Sequence, residues 1–413
     1  MRLLLLIFIP CLLFAQGGSN YSSIGVGDLN NDNSAVFSGM AGTSIAMPNA
    51  NNINYTNPAL WSKVETTRLQ MSYFFNQRLV SGNDLSLAQN YGKVDGISIV
   101  FAIDTANGIA LGMGLNSFST VNYQASSAFS GFVDELSVSG KMINTGFGGL
   151  SNAFFGVSAE FFDRLSIAIR PGLIFGTITE RNEIIVDQIF GNDSETLSND
   201  SFRAFNLKTA AYLELPYNIN IGAFYMLASD LSVKSNTVYR AFVNNPRVDF
   251  NYGLLDTLDH KLPSSFGVGL SWKNKRNLIG LDYITQDFST FTYNPNTNSE
   301  FTTMTTVSIG YERTGNKRSG ADPLDKWDYR AGFGYKQLPY IVANEQITDI
   351  FASFGTSIPF GTSSYFDFGV IAGSRGISSD VLVNETYGKF YFNISIGETW
   401  FKPFERDFDD IED

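Results

Sequence analysis

The sequence predicts an all-β protein, a transmembrane antiparallel β-barrel of about fourteen strands preceded by an N-terminal plug. Outside the first residues, no apolar run is long enough to cross a bilayer as a helix. From about residue 66 onward, large apolar residues recur with a period of two. Aromatic residues also cluster at the ends of these segments, where rings lie at the two membrane interfaces of barrels. We therefore place the barrel at residues 66–402.

The first element, residues 1–15, has the pattern of a signal peptide. A charged start is followed by about a dozen apolar residues and by Ala15 at a plausible cleavage point. A membrane anchor would need a longer apolar segment. Cys11 raises the alternative of a lipoprotein, but Pro10 precedes it and the apolar segment continues beyond it. Since Cys11 is the only cysteine, cleavage after Ala15 would leave neither a disulfide nor a thiol site.

Residues 16–65 do not follow the strand pattern. They are rich in Gly, Ser, Ala and Asn, with Met40, Ile45 and Met47 as scattered apolar residues. We expect this segment to fold inside the barrel as a hatch. The alternative is a disordered periplasmic extension, but disordered segments usually carry more charge and fewer apolar residues.

The strands show one apolar face and one face of small residues. Ile97, Ile99, Phe101 and Ile103 alternate with Ser98, Val100 and Ala102, and similar alternation recurs at 109–116, 266–273, 307–312, 366–370 and 390–396. A soluble β-sandwich is the alternative, but the second face is rich in Gly and Ser rather than Lys and Glu, which favours a filled lumen. Single-chain bacterial barrels have even strand numbers, which supports fourteen.

The connections are of two kinds. Residues 104–108 and 273–277 read as short turns, whereas 187–201 and 294–300 are longer polar stretches. We expect the short turns on the periplasmic side and the long loops outside. Residues 403–413 are predicted to form an acidic periplasmic tail.

Charge and composition argue against several functions. A net charge of −12 disfavours nucleic acid as a partner. The single histidine, His260, lies in a polar stretch without a serine motif, so we expect no enzyme activity. Residues 28–33 resemble a calcium loop, but glycine is missing at the sixth place and Gly39 stands where glutamate is needed. We expect no cofactor and no metal.

Several short motifs carry a family resemblance. They are 38–46, followed by Asn57-Pro58-Ala59-Leu60, then 262–267, 281–283, 329–335, 373–376 and 398–401. In order and spacing these motifs resemble the FadL/TodX family of outer-membrane hydrophobic-compound transporters, in its Bacteroidetes-type form. The Asn-Pro-Ala tripeptide is the strongest of them.

The resemblance implies a location in the cell outer membrane, in contact with its lipid and lipopolysaccharide, and passive uptake of long-chain fatty acids or other hydrophobic small molecules. A ligand would bind an apolar pocket and leave through a sideways opening after the hatch shifts. The candidate hatch and binding residues are Met40, Ile45, Met47, Asn57, Pro58, Ala59 and Leu60. Flexible and branched side chains suit an irregular apolar cavity, although packing of the hatch would also explain them.

A second interpretation stays open. A related barrel that shares the small-residue and NPA-like start acts as a partner protein, so the tripeptide indicates the architecture more securely than the transported molecule. The protein would then be a non-transporting subunit of an outer-membrane secretion or assembly complex. An open polar porin is the third interpretation.

Overall fold

The structure, a computed structural model, describes residues 18–30, 34–82, 85–133, 136–187, 193–242, 247–294, 299–318, 320–378 and 382–400. The predicted signal peptide with Cys11 and the predicted tail 403–413 lie outside these residues.

The predicted barrel of fourteen antiparallel strands is confirmed. The strands are β1 Thr67–Gly82, β2 Leu85–Asp104, β3 Ile109–Ser117 with Ser119–Val133, β4 Leu136–Phe161, β5 Leu165–Val186, β6 Asp193–Leu215, β7 Ile219–Met226 with Ser229–Phe242, β8 Arg247–Leu262 with Ser265–Asn274, β9 Asn277–Asp287, β10 Ser299–Phe301 with Thr303–Arg313, β11 Asp328–Val342, β12 Glu345–Pro359, β13 Tyr365–Arg375 and β14 Asn384–Glu398. Four strands are written in two parts because a short irregularity interrupts each.

The barrel closes between its last and first strands. β14 pairs with β1 from Glu398–Thr67 to Asn384–Ser81. We call the end at which β1 begins and β14 ends the near end, and the opposite end the far end. Closure leaves no sheet edge at this junction, which a chain that crosses a bilayer requires.

The predicted alternation of faces is confirmed along the wall. In β1, Leu69, Met71 and Tyr73 are exposed by 42–46%, whereas Gln70 and Ser72 between them are buried. Apolar side chains thus cover the outside and polar ones fill the inside, which is the reverse of a soluble protein and the pattern of an outer-membrane-type barrel. No helix in the described part of the chain is long and apolar enough to cross a membrane.

The prediction of a long polar loop at 187–201 is wrong, because β6 begins at Asp193. The polar residues of this stretch lie in strands that extend beyond the membrane. The strand β4, for example, has 26 residues, whereas about ten residues are enough for a strand to span a bilayer. Glu195 in this stretch forms ion pairs with Arg181 and Arg240 on the neighbouring strands. The polar residues at 193–201 therefore belong to a strand that extends into water, not to a loop.

At the near end, the longest connection in the described part of the chain is 314–327, which carries the 3-10 helix Pro323–Lys326. A second 3-10 helix, Pro216–Asn218, forms the turn between β6 and β7.

Residues 18–30 and 34–66 lie inside the ring of strands. They contain the 3-10 helix Asn20–Ser23, the short strand Asp28–Leu29, the helix α1 Ala35–Ser38 and the 3-10 helix Pro58–Lys63. We call residues 18–30 the upper strip and 34–66 the lower segment. The lower segment fills the near half of the lumen and touches opposite walls, for example Gly355 in β12, Gly222 in β7 and Gly112 in β3.

Glycines in the inward register let the backbone of the lower segment approach the wall. A methyl group on Gly222 would lie 2.1 Å from the carbonyl oxygen of Ile45, and one on Gly332 would lie 2.3 Å from the carbonyl carbon of Met40. Neither distance can accommodate a side chain. The inner face of small residues that the sequence predicts therefore leaves room for the backbone of the lower segment.

The wall is interrupted in its far half between β2 and β3. These strands pair from Gly96–Asn116 to Asp104–Ile109, but no pairing joins residues 85–95 to 119–133 in the described chain. The upper strip fills this interruption. Its residues Asp28 and Leu29 pair with Thr120 and Ser119 of β3, and Gly18 lies between Tyr91 of β2 and Asn122 of β3.

Candidate functional site

Two cavities lie in the lumen between the upper strip and the lower segment. The first has a volume of about 60 Å³ and is lined by Asn116, Asn152, Asn206 and Gln286 together with two cations. The second has a volume of about 120 Å³. Pockets that bind drug-sized ligands usually measure about 300–1,000 Å³. In this conformation, both cavities are therefore small, and each is lined by apolar side chains as well as by polar and charged ones.

The cations of the first cavity are held by carbonyl groups and aromatic rings. Arg170 Nη1 donates to the Tyr55 carbonyl at 3.1 Å, and Lys208 Nζ donates to the Thr56 carbonyl at 3.3 Å. The Lys208 ammonium lies 4.4 Å from the centroid of the Phe224 ring. Such contacts stabilise cations away from water and also tie the lower segment to β5 and β6.

The second cavity is bordered by a charge network that anchors the upper strip. Arg375 Nη1 pairs with Asp28 at 2.7 Å, and Arg375 Nη2 pairs with Asp349 at 3.0 Å. Glu385 forms a fully buried ion pair with Arg78 and accepts a 2.7 Å hydrogen bond from Ser19 Oγ. We call this network the latch, because it joins the upper strip to β1, β12, β13 and β14.

The lower segment is anchored through its backbone. The Asp282 side chain accepts hydrogen bonds from the amides of Ser44 and Ile45, at 2.6 and 2.9 Å. Asn57 caps the helix that starts at Pro58 by accepting from the Ala59 amide, and asparagine followed by proline is a common helix start. Asn57 Nδ2 also donates to the carbonyls of Ile45 and Ala211.

The predicted binding residues are buried, and none lines either lumen cavity. Met40 and Met47 pack against Leu278. Ile45, Ala59 and Leu60 pack against Tyr212 and Phe224, and Asn57 and Pro58 form the turn described above. In this conformation they act as packing residues, and their role around a ligand stays a prediction.

Sequence reasoning missed the anchoring residues Asp282, Arg78, Arg375 and Glu385. A signal was present, because each is a charged residue in the inward phase of an otherwise apolar strand. Asp282, for instance, stands between Leu281 and Tyr283. A charge at such a position needs a buried partner.

The other sites considered in the sequence show no ligand chemistry. His260 Nδ1 lies 2.7 Å from Thr292 Oγ1. Asp28 of the calcium-like stretch is paired with Arg375, and residues 31–33 lie outside the described residues. Across the described ranges, no group of three acidic, histidine or cysteine residues could hold a metal.

The far half of the lumen contains a large apolar cluster. Phe288, Phe291 and Tyr293, which follow β9, fold inward against Val26 of the upper strip and against Phe202 on the wall. The ring centroids of Phe202 and Tyr293 are 5.0 Å apart in an edge-on arrangement. This cluster lies next to the interruption between β2 and β3.

The fold is shared with solved hydrocarbon channels. The CymD monoaromatic hydrocarbon channel is 14% identical, with a TM-score of 0.60, covering 93% of this chain and 100% of that one. The toluene transporter TodX of Pseudomonas putida is 15% identical, with a TM-score of 0.60 and coverages of 90% and 98%. TbuX, the toluene transporter of Ralstonia pickettii, is 14% identical, with a TM-score of 0.62 and coverages of 92% and 99%. At these identities the likeness establishes the FadL-like fold alone.

No curated protein matches the sequence. The sequence profile of the family described as BamG matches residues 1–406. Since this match spans nearly the whole chain, the protein belongs to the BamG family.

Proposed function

We propose that this protein is an exported outer-membrane barrel that serves as a non-transporting subunit of an outer-membrane assembly or secretion complex. The proposal rests on one observation, that the lower segment fills the near half of the lumen. The lower segment is anchored to opposite walls, and the lumen cavities are small, about 60 and 120 Å³, with charged side chains in the lining of each. Such spaces disfavour an apolar molecule, because burying it would remove water from charged groups without replacing their hydrogen bonds.

The family name BamG also favours a partner role. A closed barrel offers a partner its rims and its lipid-facing wall. Phe132 and Phe162 are exposed by 80% and 91%, one toward each end of the barrel. Exposed aromatic side chains are frequent at protein interfaces, although at membrane interfaces they also contact lipid.

Native mass spectrometry of the protein purified from its own membrane tests the proposal. We expect a stoichiometric complex with at least one other protein. Recovery of the chain alone, or with bound lipid only, would contradict the subunit role.

A second candidate is passive uptake of a hydrophobic small molecule such as a long-chain fatty acid, with sideways exit through the wall. It is favoured by the interruption between β2 and β3, which lies beside the apolar cluster of the far half. Uptake by this route would require displacement of the upper strip from the interruption.

A disulfide that locks the upper strip separates the two candidates. Ser22 Oγ accepts from the Asn122 amide at 3.0 Å, so Ser22→Cys and Asn122→Cys place two cysteines next to each other, and non-reducing gels verify that the disulfide forms. If Cys11 is removed with the signal peptide, the new pair is the only one present. A subunit should keep its partner and support growth when locked, whereas a transporter should fail to restore growth on oleate until the disulfide is reduced.

Deletion of residues 16–60 tests the plug itself. We expect a folded barrel with raised single-channel conductance, because an emptied lumen of fourteen strands is wide enough to conduct. Unchanged conductance would argue against a plug. The matched control keeps these residues and carries Gly131→Val, at a position where an added methyl group meets no atom within 4 Å.

A further inference from the structure

A larger cavity opens at the near end, away from the lumen cavities. It has a volume of about 350 Å³ and lies between the connection 314–327, the connection 360–364 and residues 50–51 and 65–66. The charged residues in its lining are Arg68, Lys317, Arg318 and Lys326, against Glu65 alone. Its volume is within the range of ligand pockets, and its charge is opposite in sign to the net −12 of the chain.

Arg68 places a buried positive charge at this cavity. Its side chain is fully buried, and its Nη atoms donate to Ser363 O, Ser395 Oγ and Thr66 Oγ1 at 2.9–3.1 Å. A fourth bond runs from Nη2 to Asn51 Oδ1 at 3.4 Å. All four acceptors are neutral, and Arg68 forms no ion pair within the described residues. Its Nε has no hydrogen-bond partner. Asp367 and Glu65 attract this guanidinium only from beyond ion-pair distance, so a bound anion in direct contact would stabilise it.

Of the two acidic residues in the 314–327 connection, Asp325 is already engaged. Asp325 Oδ1 pairs with Arg276 Nη2 at 3.0 Å and with Arg313 Nη2 at 2.8 Å, and Asp325 Oδ2 accepts from Asn316 Nδ2 at 3.0 Å. Hydrogen bonds from Arg276 and Asn316 lower the pKa of Asp325 to about 2. Asp325 thus fixes the connection, while Lys317 and Arg318 on the same connection are exposed.

We propose that this near-end cavity binds an acidic peptide, and that its occupant is the C-terminal tail of the same chain, residues 405–413. The tail carries Glu405, Asp407, Asp409, Asp410, Glu412 and Asp413 against a single arginine, Arg406. Carboxylates form charge-assisted, often bidentate hydrogen bonds with guanidinium groups. The proposal holds whether the protein transports or assembles.

Chain connectivity supports this occupant. β14 ends at the near end, and a methyl group on Gly397 would lie 2.6 Å from Arg68 Nη2. The last strand therefore passes beside the cavity before the tail begins. Residues 401–413 span up to about 45 Å when extended, which is enough to return to it. Attachment to the same chain also raises the effective concentration of the acidic segment to the millimolar range.

Zero-length carbodiimide crosslinking of the full-length protein in nanodiscs tests the proposal. We expect amide links between tail carboxylates and Lys317 or Lys326, mapped by mass spectrometry. The double variant Lys317→Glu and Arg318→Glu should lower the yield of tail links to Lys326 about tenfold, since each reversal turns an attraction into a repulsion. Adding Asp409→Lys and Asp410→Lys should bring the tail back, now with links from residues 409 and 410 to 317 and 318.

The matched control is Lys273→Glu with Lys275→Glu, which reverses two exposed lysines in another near-end turn. It should leave the tail links unchanged. Heat-modifiable gel mobility verifies that each variant is folded. Tail links spread evenly over all near-end lysines, no tail links, or tail links to a co-purified protein instead would each overturn the proposal.

Discussion

The upper strip and the lower segment of the N-terminal residues occupy the same lumen but are held by different forces. In the lower segment, backbone atoms of Ile45 and Met40 lie against wall glycines, and Asp282 accepts two of its amides. The upper strip pairs with β3 at Asp28 and Leu29, and Val26 and Ile24 pack in apolar clusters. Side-chain charges join it to the strands on its other side, above all through the pairing of Asp28 with Arg375.

This difference teaches that one plug can contain a fixed part and a releasable part. Close backbone contact leaves no alternative position for the lower segment, because interiors are packed at crystal-like density. Ion pairs that border a cavity can instead exchange protein partners for water. We therefore expect disruptions of the lower segment to separate that segment from the wall while the barrel stays folded, and disruptions of the latch to release the upper strip alone.

The largest loss of stability is expected from the substitution Gly222→Val. The added side chain would collide with the Ile45 carbonyl, and backbone atoms on both sides cannot move without shifting the wall, so the cost should exceed the about 1–3 kcal/mol typical of overpacking. Protease cleavage within residues 34–66 should rise sharply. The control Gly131→Val has open space and should resist cleavage like the unchanged protein, whereas equal resistance of both variants would refute the close fit.

Glu385→Ala should release the upper strip. The substitution leaves Arg78 buried and unpaired, which costs about 3–5 kcal/mol, and it removes the acceptor of Ser19. A cysteine introduced at Ser22 should then react readily with an impermeant maleimide, while residues 34–66 stay protected from protease. Loss of protection in both parts at once would show that they form one unit.

Asp282→Ala should loosen the lower segment without expelling it. Two buried amides would lose their acceptor, at about 1–3 kcal/mol each. Asp282→Asn keeps an acceptor oxygen and serves as the control, with a smaller loss. Thermal unfolding measured by heat-modifiable gel mobility should rank the alanine variant below the asparagine variant, and the opposite order would contradict the assigned contact.

The smallest effect is expected from a change in pH, which should weaken the attachment of the upper strip alone. Burial acts to raise the pKa of Asp28, but Arg375 and Arg78 outweigh it, so the pKa lies below its ordinary value. A carboxyl with a lowered folded pKa contributes stability above its unfolded pKa of about 3.9 and loses it as the pH falls through the folded value. A spin label at Ser23→Cys should stay immobile from pH 7 to about 4 and become mobile only below that. Mobilisation near pH 6 would indicate control by another group.

Much of the wall could be predicted from the sequence. The period-two alternation around Ile97 to Ile103 and the even strand number led to the fourteen-stranded barrel, since each position faces either lipid or lumen. The extent of strands beyond the membrane could not be read in this way, because polar residues such as Glu195 are equally suited to loops. Their pairing with Arg181 and Arg240 depends on neighbouring strands.

The site was less accessible from sequence. Met40, Ile45 and Met47 were selected for their apolar side chains, yet such residues suit a packed interior and a binding pocket equally well. The anchoring roles of Asp282 and Arg375 depend on partners far away in the chain, such as Ser44 and Asp28. No local pattern identifies such partners.

What the sequence by itself determined is therefore the barrel, its two faces and its small-residue inner surface, because alternation and residue size are local properties. Only the tertiary structure decided which charges meet in the latch, where the wall between β2 and β3 is interrupted, and how little space remains in the lumen. These features arise from contacts between residues hundreds of positions apart, such as Ser19 and Glu385. Their geometry exists only once the barrel has closed around its own N-terminal residues.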